Sequence, residues 1–189
     1  MEKEKTLVLI KHDGVLRGLI GKILSRFEDM GLKITAMKLI WANQELAKNH
    51  YTLDEQWAKE IYEKTKSVYE KENKLFPYKT PIEFGKQIQS WNMLFLTEGP
   101  VVAIVVEGPH AIEISRKIIG STEPRQALPG TIRGDFASVE SYTLADTNKR
   151  VLRNLIHASD SQKNAEREIS LWFSPKEIHA YQKEIDKHF

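Results

Sequence analysis

The apolar positions fall into short runs separated by polar turns. Thr6-Leu-Val-Leu-Ile10 is β-prone and bounded by charge on both sides, which predicts a buried strand. Lys11-His-Asp-Gly14 then reads as a turn. Leu19, Ile20, Ile23, Leu24 and Phe27 recur at helical spacing, and Gly31 after Met30 is a helix stop. Leu32–Trp41 alternates imperfectly and predicts a second strand, after which Asn43 can cap a short helix through His50. Pro100-Val-Val-Ala-Ile-Val-Val-Glu107 is the clearest strand, and Ala111–Ile119 predicts a helix ending at Gly120. Ser121–Gly134 holds two prolines and two glycines and reads as an ordered loop. Phe136–Val139 is expected as a last strand and Asp146–Leu155 as a short helix. Ser161 should cap a helix through Phe173, with Ile169, Trp172 and Phe173 facing inward, and a final segment starts at Pro175.

Thr52–Leu96 differs in character. It is rich in Lys and Glu, interspersed with aromatics from Trp57 to Phe95. Ile61, Thr65 and Val68 sit at helical spacing, Pro77 and Pro81 break the segment, and a second helix fits Pro81–Leu96. The Lys/Glu alternation of Lys59–Lys74 suits a solvated helix face. With this stretch set aside as an insertion, the order is βαββαβ. That is the α+β, ferredoxin-like pattern of a four-stranded antiparallel sheet with two helices on one face. One domain over 1–189, with a helical insertion within 52–98, is the expected organisation.

Composition narrows the chemistry. Against 28 Lys+Arg stand 26 Asp+Glu, a net charge of +2 that argues against a nucleic-acid or membrane binder held by bulk electrostatics. Without cysteine there is no disulfide framework, thiol nucleophile or Cys-based zinc site. The longest apolar run, Val101–Val106, is far short of a membrane span, and Thr6–Ile10 is too short for a signal-peptide core. A cytoplasmic protein is the expectation.

Of the histidines His12, His50, His110, His157, His179 and His188, no pair has metal-ligand spacing on one element. There is no P-loop, and Gly14, Gly18 and Gly21 do not fit the dinucleotide fingerprint. Asn154-Leu-Ile-His157-Ala-Ser-Asp-Ser161 places a histidine before a Ser/Asp cluster; on local composition alone, a histidine near a helix cap is the plainer reading. The constrained loop Gly120–Asp135 adds Thr122 and Arg133, and Arg116 lies on the helix before it. Arg116 as a solvated helix face and Arg133 as a structural clamp stay open alternatives.

Taken together, Lys11-His-Asp-Gly-Val-Leu-Arg-Gly-Leu-Ile-Gly21, His50-Tyr51, Gly99-Pro-Val-Val-Ala103, Pro129-Gly-Thr-Ile-Arg-Gly-Asp-Phe136, Asn154–Ser161 and Ala165-Glu-Arg-Glu-Ile-Ser-Leu-Trp-Phe173 make a chain that resembles the nucleoside diphosphate kinases. The resemblance runs in order from near the N-terminus to about Pro175. It implies transfer of the γ-phosphoryl of ATP to nucleoside diphosphates by ping-pong kinetics through a pros-phosphohistidine on His157. Glu168 and Ser159 match the residues that orient this histidine, and Tyr51 the tyrosine close to it. Lys11, Arg116, Thr122, Arg133 and Asn154 match the phosphate-binding set. The implied cofactor is Mg²⁺, held by the nucleotide phosphates, with Asp160 reaching it through water if at all. The family's base stacks on a phenylalanine, for which Phe76, Phe84, Trp91 and Phe95 compete; Phe84 is preferred because Pro81-Ile-Glu-Phe84 is similar to the family's proline–aromatic stretch. The implied partners are ATP, nucleoside diphosphates and copies of the chain itself, as a hexamer or a tetramer of dimers.

Two departures from the family pattern stand out. His12 takes the place of a usual proline, which should be tolerated while loosening Lys11. The stretch from Tyr51 to Gly99 is longer than the common form by roughly thirty residues, and that from Phe136 to Asn154 by about ten, which suits either an altered lid or a helical decoration. A catalytically silent nucleotide- or RNA-binding module is disfavoured because Thr6–Ile10 and Val101–Val106 lack the exposed aromatics of RNA-binding sheets. A phosphotransferase with a non-nucleotide acceptor is the remaining alternative.

Overall fold

In the computed structural model, residues 3–71 and 73–184 are described; His188 lies outside them. Strand β1 (Glu4–Ile10) is followed by the short helix α1 (His12–Leu16), helix α2 (Ile20–Asp29) and strand β2 (Lys33–Ile40). Helices α3 (Gln44–His50), α4 (Glu55–Lys71) and α5 (Pro81–Thr97) lead to strand β3 (Val101–Gly108). Helices α6 (Ala111–Ile119), α7 (Ile132–Ala137) and α8 (Tyr142–Thr147) precede strand β4 (Ile156–Ala158) and helix α9 (Gln162–Trp172). The sheet order is β2-β3-β1-β4, and every pairing is antiparallel. This is the βαββαβ topology, with each βαβ unit leaving a gap of one strand for the other to fill.

Period-two alternation sorts the central strands onto two cores. Val8, Ile10, Val102, Ile104 and Val106 face α2 and α6 and meet Ile23, Phe27 and Ile119. Leu7, Leu9, Val101, Ala103 and Val105 face the other way, against Leu96, Trp172 and Phe173. The core helices α2 and α6 share one face, as the sequence pattern predicts, and α3, α5 and α9 cover the other. A strand buried on both sides reads as the unbroken apolar run seen at β1 and β3.

Three local expectations are corrected. Lys11–Gly14 is not a simple turn, because α1 begins at His12. Phe136–Val139 is not a strand. Thr131 caps α7 by accepting from Gly134 N at 3.1 Å, and Ile132, Phe136 and Ala137 fall on one helical face. The last strand is instead β4, three residues within the segment singled out for its histidine, and too short to show alternation. The helix expected over Asp146–Leu155 lies earlier: Ser141 caps it through Leu144 N, and it stops where Lys149 turns left-handed at φ +50°.

Helices α4 and α5 form an antiparallel pair on aromatic packing. The Phe76 ring sits 5.1–5.5 Å from Tyr62, Tyr69, Tyr78 and Phe84. Gly85 allows the close approach, since a Cβ there would lie 2.9 Å from the Cβ of Ala58. His12 does not loosen the Lys11 turn as expected. Its buried ring lies 4.3 Å from Phe95, with Nδ1 2.8 Å from the Phe95 carbonyl and Nε2 3.4 Å from Glu98. A carbonyl only accepts, so Nδ1 donates, and the ring ties the end of β1 to the end of α5.

Candidate functional site

Pairing of β4 with β1 sets Leu9 opposite His157. Ile156 and Ala158 point into the core under α2 and α6. Alternation then puts His157 on the opposite face, where α3 and α9 pack. Leu155, just before the strand, adopts φ +66°, costing roughly 1–2 kcal/mol for a branched residue. Two bonds hold it there: its N–H donates to Asp13 Oδ2 at 3.1 Å, and its carbonyl accepts from Lys11 N at 2.8 Å.

His157 Nε2 lies 2.8 Å from Glu168 Oε2, and the Ser159 hydroxyl donates to the same oxygen at 2.7 Å. Arg167 donates to the other carboxylate oxygen at 3.2 Å. Glu168 reaches back from the second turn of α9 because Ser161 caps that helix and Ser159–Ser161 turn the chain. Burial alone would raise the Glu168 pKa, but the bonds from His157 and Ser159 and the nearby imidazoles outweigh it and hold it at about 2. Since Glu168 is anionic, the neutral His157 carries its proton on Nε2 and presents a lone pair at Nδ1.

Lys11 is buried, and its Nζ donates to Asn154 Oδ1 at 2.8 Å; Asn154 Nδ2 in turn donates to the Thr122 carbonyl at 3.0 Å. Burial, followed by the positive charge of Arg133 and opposed by Asp13, brings the Lys11 pKa down to about 8. Arg133 spans three carbonyls, those of Gly120 (3.0 Å), Asn154 (3.2 Å) and Ile156 (2.7 Å). The clamp reading of Arg133 is therefore part of its role, and it also lines the cavity described next.

A cavity of about 660 Å³ opens beside His157. One end carries Lys11, Tyr51, Arg116, Thr122, Arg133, Asn154 and His157; the other is walled by Val68, Phe84, Ile88 and Trp91 on α4 and α5 and by Ala145, Val151 and Leu152 opposite. Arg116 and Thr122 are exposed to it. Lys11, lowered by burial and then by Arg133, and Arg133, lowered by burial and then by Arg116, mark a site shaped for an anion, and the apolar side chains suit a flat ring. The Tyr51 phenol is pushed up by burial, then by Glu168, and stays a donor. Asp160 lies at the rim, where Asn164 donates to it at 2.7 Å; burial raises its pKa, but bonds from Asn164 and Ser161 hold it below the usual range. The Tyr69 hydroxyl donates to Asp146 at 2.7 Å, joining α4 to α8 across the mouth.

Phe84 touches the cavity but is buried in the aromatic cluster, with its ring 5.2 Å from Phe76 and 4.9 Å from Tyr78. Trp91 and Val68 share that wall and are less enclosed. The sequence alone points to no site role for Asp13, His50 or Arg167, and marks Trp172 only as facing inward. Their contacts cross between elements, so no spacing on one element signals them; only the His50-Tyr51 pair hinted at one. Ring nitrogens of His50 and His157 and a Glu168 oxygen lie within 4.8 Å of one another, as ligands of a cation could. Trp172 Nε1, a donor only, points at His50 Nδ1 from 3.3 Å, which leaves the remaining His50 nitrogen protonated and without a lone pair for a metal.

Two pH effects follow. Glu168 lies below its unfolded pKa of 4.5, so its stabilisation is complete above that value and lost as pH falls through about 2. Urea midpoints should therefore drop between about pH 5 and pH 3, and drop less in Glu168→Gln; equal slopes would contradict the assignment. Lys11 loses its charge above about pH 8 in the free protein. Its binding of a phosphate anion should weaken there, and kcat/KM should show a basic limb near that pH; a profile flat to about pH 10 would contradict it.

The nucleoside diphosphate kinase family model matches residues 4–74 and 83–178. The nucleoside diphosphate kinase of Pyrobaculum aerophilum is 42% identical over 182 residues, covering 94% of this chain and 99% of its own. That of Pyrococcus furiosus is 44% identical over 185 residues, covering 98% and 92%. The crystal structure of the Pyrobaculum aerophilum NDP kinase superposes with a TM-score of 0.89 at 41% identity, over 94% of this chain and 99% of that one. A transition state mimic of the Borrelia burgdorferi enzyme, with bound vanadate and ADP, gives a TM-score of 0.80 at 35% identity, over 98% and 96%.

Proposed function

The chain belongs to the nucleoside diphosphate kinase family, and we propose that its reaction runs through a phosphohistidine formed on Nδ1 of His157. It is a phosphotransferase that exchanges a terminal phosphoryl group between nucleoside tri- and diphosphates. The observation that carries the reading of His157 is the contact between Nε2 and the Glu168 carboxylate at 2.8 Å, beside a cavity rich in cations.

In the first half-reaction, the Nδ1 lone pair attacks the γ-phosphorus of ATP. The N–P bond forms, the bond to the β,γ-bridging oxygen breaks, and ADP leaves. The Nε2 proton stays in place, and the Glu168 anion stabilises the positive charge that develops on the ring. In the second half-reaction a terminal oxygen of a nucleoside diphosphate attacks the same phosphorus, the N–P bond breaks, and His157 is restored. Lys11, Arg116, Arg133, Thr122 and Asn154 hold the phosphates and stabilise the charge spread over the transferring group. Tyr51 closes the wall beside the nucleophile.

The cavity's donors suit a magnesium ion carried in on the nucleotide and not one held by a protein cage. Most charged lining groups at the phosphate end are cations, and Asp160 at the rim is an anion able to reach the ion through water. When bound, the ion neutralises phosphate charge. Phe84, Trp91 and Val68 form a wall on which a base stacks, with the polar side chains of Thr65, Asn92 and Thr143 on the same lining. The α4–α5 pair is then a helical insertion within one domain that builds this wall.

Met37, Leu39 and Trp41 are exposed on and just beyond the edge strand β2, at 54%, 64% and 65%, which supports assembly with copies of the same chain. No helix among the described residues is long and apolar enough to cross a membrane. Work on the cytoplasmic nucleotide pool fits the proposed substrates.

The test is a phosphoenzyme assay. The protein is mixed with γ-labelled ATP and Mg²⁺, examined for acid-labile and base-stable label, and chased with GDP. Label that requires His157 and passes to GDP is expected. Nucleotide binding without label would overturn the mechanism.

A further inference from the structure

We propose that His50 is a positioning residue for phosphoryl transfer: its ring, held in one tautomer by Trp172, is a fixed wall that sets the plane of the His157 imidazole. The inference rests on His157 as the phosphoryl carrier.

A single hydrogen bond fixes a point on a ring but leaves the ring free to turn about that bond. Among the described residues, His157 has one such anchor given by its ring nitrogens, Glu168 at Nε2. Turning about it would swing Nδ1 away from the phosphates held by Lys11 and Asn154. The second restraint is His50. Its ring centroid lies 4.7 Å from that of His157 and its plane stands at 83°, so ring edge meets ring face.

His50 is itself immobile. It is 3% exposed, ends helix α3, and stands edge-on to Tyr51 at 4.7 Å and to Trp172 at 5.7 Å. Arg167 donates to the carbonyls of Asn49 and His50 at 2.8 and 3.4 Å, tying the end of α3 to the helix that carries Glu168. The Trp172 N–H donates to His50 Nδ1, so the His50 proton sits on Nε2. Among the described residues that Nε2 is buried without a hydrogen-bond partner, a rare state for a ring N–H. A group kept for hydrogen bonding would have an acceptor here. One kept for its shape and neutrality does not need one.

Neutrality follows from the groups that face His50. Burial, then His157 on β4, Arg167 on α9 and Lys11 after β1 disfavour its charged form, and Glu168 on α9 alone opposes them. An uncharged wall braces the nucleophile without adding a cation that would hold the phosphoryl group on His157.

Rapid-quench kinetics with γ-labelled ATP test the proposal, because they separate nucleotide affinity from the rate of phosphoenzyme formation at saturation. His50→Ala should slow the saturated rate about 10- to 100-fold, with the apparent Kd within about threefold of the parent. His50→Phe, which restores a ring face without nitrogen, should recover most of the rate. A His50→Ala protein as fast as the parent, a loss confined to Kd, or a His50→Phe protein no faster than His50→Ala would each overturn it. Nitrogen-15 NMR of the histidines makes the test independent of whether the phenylalanine variant folds. The parent should show the Nε2–H tautomer for both rings, and His157 should become a tautomer mixture in His50→Ala; an unchanged His157 would overturn the role. A parent that forms no phosphoenzyme would overturn the carrier reading as well, whereas a phosphoenzyme indifferent to His50 would overturn the positioning role alone.

Discussion

Replacing His157 with alanine is expected to lower phosphoryl transfer by about 10⁴-fold or more while leaving nucleotide affinity within about threefold. The asymmetry comes from the contacts. His157 lines the cavity, and among the described residues its Nε2 bonds to Glu168, which leaves Nδ1 free of a protein partner. The phosphate-end donors Lys11, Arg133 and Asn154 are built on other bonds, from Lys11 to Asn154, from Asn154 to Thr122 and from Arg133 to three carbonyls, and do not lean on the imidazole. Glu168 loses one donor but keeps Ser159 and Arg167. The folded protein should therefore survive, able to bind ADP but not to exchange phosphate. A coupled exchange assay beside ADP calorimetry checks this. Substantial remaining turnover would move the nucleophile elsewhere, and lost ADP binding would make His157 a binding residue.

Arg133→Ala should damage both function and fold. The guanidinium is buried, and its three bonded carbonyls come from the loop after α6 and from both sides of Leu155. Alanine removes one donor from each of those carbonyls, of which that of Asn154 keeps the Ile156 N–H at 2.7 Å, at about 1–3 kcal/mol each where water cannot replace the lost bond. A total loss of roughly 3–5 kcal/mol is expected, the range found when a buried charged partner is removed. Activity should fall about 10²- to 10³-fold through loss of one charge at the transferring phosphoryl. Arg133→Lys should rescue little, because one ammonium cannot span carbonyls in three directions. Urea midpoints and kcat/KM measured on the same preparations decide the matter. An unchanged midpoint would reduce Arg133 to a phosphate ligand, and unchanged kcat/KM would reduce it to a clamp.

The sheet was legible because β1 and β3 are buried on both faces and so read as unbroken apolar runs. The caps Asn43, Thr80, Thr131, Ser141 and Ser161 all accept from a backbone N–H inside the helix they start. The capping role of Thr131 was nevertheless missed, because Pro129 and Gly130 make the segment look like loop. β4 was missed because three residues are too few to show a period, and its pairing with β1 is set by distant chain. That Lys11, Arg116, Thr122, Arg133 and Asn154 would line one cavity was legible only through their motifs, since each residue has an ordinary structural reading by itself. His50, Arg167 and Trp172 were opaque for a geometric reason. They meet where α3, β4 and α9 converge, and contacts between elements leave no spacing along one of them. Phe84 illustrates the converse: a motif pointed to it, while packing against Phe76 and Tyr78 puts much of its ring out of reach.

The stitch at Leu155 also bears on how the protein matures. Asp13 and Leu155 are 142 positions apart, and their bond closes one of the longest loops the chain can form. Long loops are slow to close and are entropically unfavourable until many contacts form together. Of the residues at the phosphate end, Lys11 and Tyr51 are made before β3, whereas Arg116, Thr122, Arg133 and Asn154 are made after it, followed by β4 and Glu168. On the proposed mechanism, a growing chain cannot exchange phosphate until β4 and Glu168 have been made. During refolding, regained activity should trail the helical signal, since it reports closure of the β1–β4 edge and not collapse of the helices.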